Sequence, residues 1–186
     1  MKKKILIVLA DGFEEIEALA PADVFRRLGQ EVVLAGLAGK EVVGAHGIAV
    51  RADGELSAVD DRLFDAVVLP GGMPGAANLD RDGRMSGILE RAARRGAVIG
   101  AICAAPFVLA KRGLLRDGRF TMYPGFDAEL GGLRSTGRLA ECDGKVVTGK
   151  GPGAVFPFAM ALAEALGLRS ECEKVYGSMF LDHELF

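Results

Sequence analysis

An α/β sandwich, with helices covering both faces of a mostly parallel sheet, is the fold class that this 186-residue sequence predicts. Three observations carry the prediction. The strand-length runs KILIVLA (4–10), DAVVLP (65–70) and AVIGAI (97–102) are apolar throughout instead of alternating, as strands buried on both faces are. Helical patterns separate these runs, the order that parallel crossovers require. Glycine and proline then stop a run sharply, as at Pro70-Gly71-Gly72.

In chain order, KILIVLA is the first strand, and EEIEALAPADVFRRLG (14–29) repeats apolar positions at helical spacing before stopping at Gly29. EVVLAG (31–36) reads as the second strand, and EVVGAHGIAVRAD (41–53) as a hairpin-like excursion around Gly44 and Gly47. DAVVLP follows as a buried strand, and DGRMSGILERAARRG (82–96) as an amphipathic helix ending at a glycine. AVIGAI leads to Cys103 and a helical pattern beyond it. After residue 119 the segments RFTMYPG, GRLAECDG and KVVTGK are strand-like, and GPGAVFPFAMALAEALG (151–167) closes the series as a helix with Pro152 near its first turn. No repeat or long linker interrupts the chain, so one domain over 1–186 is expected.

The formal net charge of −2, with acids and bases interspersed, gives no basic stripe, which argues against nucleic acid or an anionic membrane as partner. The basic start and apolar run of MKKKILIVLADGFEE are too short for a signal peptide and carry no small-residue cleavage site. The longest apolar stretches fall short of the roughly 20 residues needed to cross a bilayer. A cytoplasmic protein is expected. Cys103, Cys142 and Cys172 are odd in number and lack C-x-x-C spacing, against both a disulfide framework and a structural zinc site.

In an open parallel sheet, ligands bind beyond the carboxyl ends of the strands. DGFEEIE, PGGMPG and Cys103 all fall there. A cysteine where a strand turns into a helix points toward unpaired N–H groups and the positive end of the macrodipole, which lowers a thiol pKa. On this ground Cys103, but not Cys142 or Cys172, is expected to be depressed. The other reading, a small buried hydrophobe, stays open at this point. Of Glu14, Glu15 and Glu17, two are expected in solvent. Glu17 shares a helix face with Ala20 and Pro21 and is the one expected to point inward. There, desolvation and a neighbouring thiolate would push its carboxyl toward the protonated form. Gly71 and Gly72 permit a close backbone approach to a ligand. GKGPGA (149–154) lacks the Lys-[Ser/Thr] ending of a phosphate loop, so helix initiation is favoured.

The segments LADGFEEIEALAPADVFRRLG, VVLAGLAGK, FDAVVLPGGMPGAANL, GAVIGAICAAPFVLA and TGKGPGAVFPFAMALAEAL, in this order, resemble the DJ-1/ThiJ/PfpI superfamily over nearly the whole length. The resemblance implies a flavodoxin-like three-layer sandwich, similar to that of class I glutamine amidotransferases, with Cys103 as a thiolate at a strained nucleophile elbow. It implies Glu17 as the acidic partner of the cysteine, and the N–H groups of Gly72 and Ala104 as the oxyanion pocket. Many members carry a histidine where this chain has Tyr123, and a protease-like branch has one where it has Ala104. His46 and His183 match neither position, so a Cys–His dyad and peptidase activity are disfavoured. Tyr123 can donate a hydrogen bond to a substrate oxygen but cannot act as a base at neutral pH. The implied activity is glutathione-independent glyoxalase or deglycase chemistry on small reactive carbonyls such as methylglyoxal, with no cofactor or metal. The alternative is a redox-sensing or chaperone-like stress protein whose Cys103 becomes a sulfinate. A homodimer is implied as well, and the wide apolar band Ile16, Leu19, Ala20, Val24, Phe25 and Leu28 agrees with pairing through the first helix.

Overall fold

The computed structural model describes residues 2–115, 119–126 and 130–181. A seven-stranded sheet is assembled from β1 (Lys4–Leu9), β2 (Glu31–Gly36), β5 (Gly54–Glu55), β6 (Ala66–Leu69), β7 (Val98–Ile102), β8 (Ala140–Asp143) and β9 (Val146–Gly149), in the order β5-β2-β1-β6-β7-β9-β8. Every neighbouring pair is parallel except β8 and β9, which form an antiparallel hairpin at one edge. β3 (Glu41–Val43) and β4 (Ala49–Arg51) form the separate hairpin expected around Gly44 and Gly47.

Strand periodicity divides the core into two halves. Ile5, Ile7 and Leu9 of β1 pack on one face of the sheet, with α1 (Glu15–Arg27), α5 (Val155–Ala165) and α6 (Arg169–Ser178) supplying Val24, Phe25, Phe158, Leu162 and Tyr176. Leu6 and Val8 face the other way, against Leu79 of α2 (Gly75–Arg81), Ile88 and Leu89 of α3 (Gly83–Arg94), and Val108 and Leu109 of α4 (Pro106–Ala110). Both faces of β1 are therefore dry, which is why its sequence does not alternate. Among the described residues no helix is long and apolar enough to cross a membrane.

One expected element differs. The described part of RFTMYPG is extended but joins no ladder. Its amides are taken by side chains and by the site instead: Thr121 N–H donates to Thr148 Oγ1 (2.9 Å), Met122 N–H to Ser135 Oγ (3.2 Å) and Tyr123 N–H to the Cys103 carbonyl (2.9 Å). Pro152 opens a 3-10 turn (Pro152–Ala154) that runs into α5, so the glycine-rich segment before it starts a helix, as expected.

Candidate active site

The order of the sheet reverses between β1 and β6, so the loops leaving these two strands diverge and open a crevice at their carboxyl ends. β7, next to β6, delivers Cys103 to that crevice. The chain leaves β7 with Cys103 at φ 63°, in the left-handed region that costs an L-residue about 1–2 kcal/mol. Two hydrogen bonds hold the turn: Cys103 N–H donates to the Gly149 carbonyl and the Cys103 carbonyl accepts from Tyr123 N–H, each 2.9 Å. The side chain is confined, with the residue 9% exposed.

Glu17, in the first turn of α1, is fully buried as expected. Its Oε2 accepts the Gly71 N–H at 2.9 Å, and its carboxyl meets the Cys103 thiol. Oε1 is left without a partner of hydrogen-bond geometry among the described residues. Gly71 makes this contact possible, because a Cβ there would fall 2.6 Å from the Cys103 Cβ and 2.7 Å from Glu17 Oε2. Gly72, at φ 82°, and Ala104 direct their backbone N–H groups at the Cys103 sulfur. The structure thus brings Cys103, Glu17, Gly71, Gly72 and Ala104 together. Tyr123 joins them through its backbone only. Its ring stands edge-on to Phe126 and is half exposed, and its hydroxyl has no partner among the described residues.

Burial pushes the Glu17 carboxyl up to about 7, although the Gly71 N–H and the thiol pull it down. Cys103 departs from expectation. Burial, and then the charge of Glu17, push its thiol up to about 12, against the opposing pull of the Gly72 and Ala104 amides. The expected dipole effect fails for a geometric reason: α4 starts three residues beyond the cysteine and is five residues long. The other two thiols are raised as well, Cys172 to about 11 by burial within the core and Cys142 by burial at the β8 edge.

The two groups titrate as a pair. Between about 7 and about 12 they hold one proton and one negative charge. The carboxyl gives up its proton first and the thiol keeps the other, while the two amide donors that face the sulfur, against one on the carboxylate, are placed to receive the charge when Glu17 takes the thiol proton.

Glu15 corrects a second expectation. Instead of lying in solvent it is 6% exposed, with Oε1 accepting the N–H of His46 (2.8 Å) and Oε2 facing His46 Nδ1 (2.9 Å). Burial opposes its ionisation, but the His46 ring and the His46 and Ile48 amides hold the carboxyl down to about 2. Glu15 therefore ties the β3–β4 hairpin to the start of α1, and His46 holds that junction from the surface. His183 lies outside the described residues. Glu14, Glu15 and His46 place one ligand atom each within 4.8 Å of one another, but the Glu15 oxygens are already engaged by the hairpin.

A clamp the sequence did not reveal joins the helices that follow the two amide donors. Arg112, just beyond α4, donates to the Asp80 carboxylate (2.8 Å) and to the Asp80 carbonyl (2.9 Å) in α2, and Lys111 pairs with the same carboxylate at 2.6 Å. Gly72 precedes α2 and Ala104 precedes α4, so the clamp ties together the two helices that follow the donors.

The turn at Cys103 and the order β2-β1-β6-β7-β9 at the centre of the sheet define the class: a doubly wound α/β protein with a cysteine in a left-handed turn at the end of a central strand. The chain belongs to the DJ-1/PfpI family, whose profile matches residues 3–165. Protein dj-1beta of Drosophila melanogaster is 36% identical over 178 residues, covering 94% of this chain and 95% of the relative. Its crystal structure superposes with a TM-score of 0.92 at 34% identity, over 98% of this chain and 100% of that one. Two further relatives are named for an activity. Glutathione-independent glyoxalase DJR-1.2 of Caenorhabditis elegans is 32% identical over 89% of each chain, and a deglycase of Pyrococcus abyssi is 30% identical over 88% of this chain and 99% of its own.

Proposed function

We propose that the protein converts small 2-oxoaldehydes such as methylglyoxal into 2-hydroxy acids without glutathione, through a hemithioacetal on Cys103. The observation that carries this reading is the fully buried Glu17, raised to about 7 and touching the thiol, with Oε1 free. In the first step the ionised Glu17 takes the thiol proton as the Cys103 sulfur bonds to the aldehyde carbon, and the carbonyl π pair becomes an oxyanion within reach of the Gly72 and Ala104 amides. The proton held by Glu17 neutralises that oxygen. The ionised carboxylate then removes the hydrogen from the former aldehyde carbon and returns it to the adjacent carbon, while the hydroxyl proton of the first carbon passes to the oxygen of the second, leaving a thioester of the 2-hydroxy acid. Water cleaves the thioester and restores the thiol, so that one oxoaldehyde and one water give one hydroxy acid. A carboxyl near 7 suits both directions of proton transfer at neutral pH. The relatives named as a glyoxalase and a deglycase support this choice of chemistry. The test is lactate formation from methylglyoxal in glutathione-free buffer, comparing wild type with Cys103→Ser. Turnover that survives the substitution removes the cysteine from the reaction.

The same donors also suit a second reading, oxidation of Cys103 by peroxide to a sulfinate, whose oxygens the Glu17 acid proton and two amides would bind. A two-oxygen mass increase confined to Cys103 under peroxide, with no turnover of oxoaldehydes, would favour it. We further propose that two copies pair about a two-fold axis through α1. Ile16 of α1 (46% exposed) and Val43 and Ile48 of the adjoining hairpin (46% and 56%) form an apolar surface that a second copy would cover. Light scattering after size exclusion should give twice the 19.5 kDa of one chain.

A further inference from the structure

A cleft of about 460 Å³, walled by Tyr123, Pro124, Leu139, Lys150, Gly151 and Pro152 among others, adjoins the backbone turn at Cys103. Its two walls are the segments that hydrogen-bond Cys103 itself. The Cys103 carbonyl holds Tyr123 at the start of one wall, and the Cys103 amide holds Gly149, from which Lys150 and Gly151 continue the other. At Gly151 the wall is bare backbone against the Tyr123 ring, where a Cβ would fall 3.3 Å from Cδ2. Tyr123 and Leu139 are 47% and 46% exposed, so the cleft offers apolar surface that nothing among the described residues covers. A volume in the range of ordinary ligand pockets is far more than a three-carbon oxoaldehyde fills.

Lys150 supplies the only lysine or arginine among the lining residues, and its ammonium has no hydrogen-bond or ion-pair partner among the described residues. Basic groups elsewhere on the helices are engaged: Lys111 and Arg112 are held by Asp80, and Arg84 by Asp82. A half-buried, unpaired cation at the edge of an apolar cleft selects an anion carried on an apolar body.

We propose that this cleft is the subsite for the substrate's tail, and that the preferred substrates are 2-oxoaldehydes whose carbonyl carbon bears an apolar, preferably aromatic, group ending in a carboxylate that pairs with Lys150. The assignment of the reaction rests on the function proposed above; the assignment of the cleft rests on its walls and its cation. Tyr123 and Pro152 take the body of the tail, and Lys150 takes its end. The reacting end stays at Cys103 and Glu17, so methylglyoxal, which has no tail to speak of, is indifferent to Lys150.

The test compares kcat/KM for methylglyoxal, phenylglyoxal and para-carboxyphenylglyoxal with wild type and Lys150→Met. Wild type should prefer the carboxylated aryl substrate to the neutral one by about fivefold, the size of a good part-exposed ion pair. The preference should vanish in Lys150→Met, with methylglyoxal turnover unchanged, and should shrink in about 0.5 M salt. A wild type without the preference, or a Lys150→Met variant that keeps it, overturns the proposal. If no oxoaldehyde is turned over, the proposed reaction fails and the cleft is read separately, from the rates at which phenacyl bromide and para-carboxyphenacyl bromide alkylate Cys103 with loss of bromide. The same fivefold bias, lost in Lys150→Met, supports the cleft; equal rates overturn it.

Discussion

Replacing Glu17 by glutamine should stabilise the protein at alkaline pH while abolishing turnover. Glu17 is fully buried, and its carboxyl is raised from 4.5 to about 7 by that burial. Below pH 4.5 it is protonated in both the folded and the unfolded chain and has no effect on stability. Between 4.5 and 7 the unfolded chain ionises while the folded one keeps its proton, so stability falls by about 1.4 kcal/mol per pH unit. Above 7 both states are ionised and the full penalty, about 3 kcal/mol, is present. The direction is that of a raised pKa: the contribution is intact at low pH and lost as pH rises through the folded value. The amide of Glu17→Gln keeps the acceptor for the Gly71 N–H but leaves one buried N–H poorly paired, a cost of about 1–3 kcal/mol at every pH. The absolute gain at pH 8 is therefore small. The difference between variant and wild type, however, should move in the variant's favour by about 2–3 kcal/mol from pH 5 to pH 8. Urea unfolding of both proteins at the two pH values measures it. Parallel pH dependences would show that Glu17 does not carry the raised pKa, and near-wild-type turnover by the folded variant would remove it from the reaction.

Three further outcomes follow from the same geometry. Alkylation of Cys103 by iodoacetamide should rise through about pH 7, where Glu17 ionises and can take the thiol proton; a rise confined to pH above 9 would mean that Glu17 does not act on the thiol. Gly71→Ala should lower kcat by about a hundredfold and stability by about 1–3 kcal/mol, because its Cβ would overlap both Cys103 and Glu17 and must move them by about an ångström; unaltered kinetics in the folded variant would contradict the contact. Asp80→Asn should cost about 1–3 kcal/mol in urea unfolding, since it leaves a mostly buried Arg112 with a neutral partner, and it should lower kcat with little change in KM if the clamp spaces the two amide donors. A purely structural clamp would lower stability and leave kcat untouched.

The parts of the site that are local in sequence were legible in it. The strands announce themselves because burial on both faces forbids alternation, and the position of Cys103 at the end of β7 follows from the length of its apolar run. Helix geometry alone turned Glu17 inward, though it did not foresee that Glu15 is buried too. What could not be read depends on pieces that meet only after folding. Glu15 is buried because a hairpin 31 residues away supplies three donors to it, and no local pattern encodes that docking. The Asp80–Arg112 clamp spans 32 residues and looks in sequence like two solvated charges. α2, seven residues long and headed by Gly75, is too short for periodicity to register, whereas α6 does carry a helical stripe in Cys172, Val175 and Tyr176, continued by Met179 at its cap. The expected depression of the Cys103 thiol required a helix starting at the cysteine; the chain instead uses three residues to leave the left-handed turn.

That displacement changes what the site has to rely on. Without a helix dipole, nothing charged or quasi-charged stabilises a thiolate except two amides, and burial works against it. The carboxyl supplies what is missing by taking the proton instead of opposing the charge, which it can do only because burial has brought its own ionisation to about 7. Desolvation, which penalises each group taken alone, is what makes the pair exchange a proton near neutrality. The arrangement carries a cost of about 3 kcal/mol at Glu17 and about 1–2 kcal/mol in the left-handed turn. Both costs fall on side chains held between two dry cores, where the sheet fixes β1, β6 and β7 in register and leaves the turn no room to relax. A stable scaffold tolerates a strained nucleophile and a buried acid because the strain is confined to residues whose neighbours cannot move.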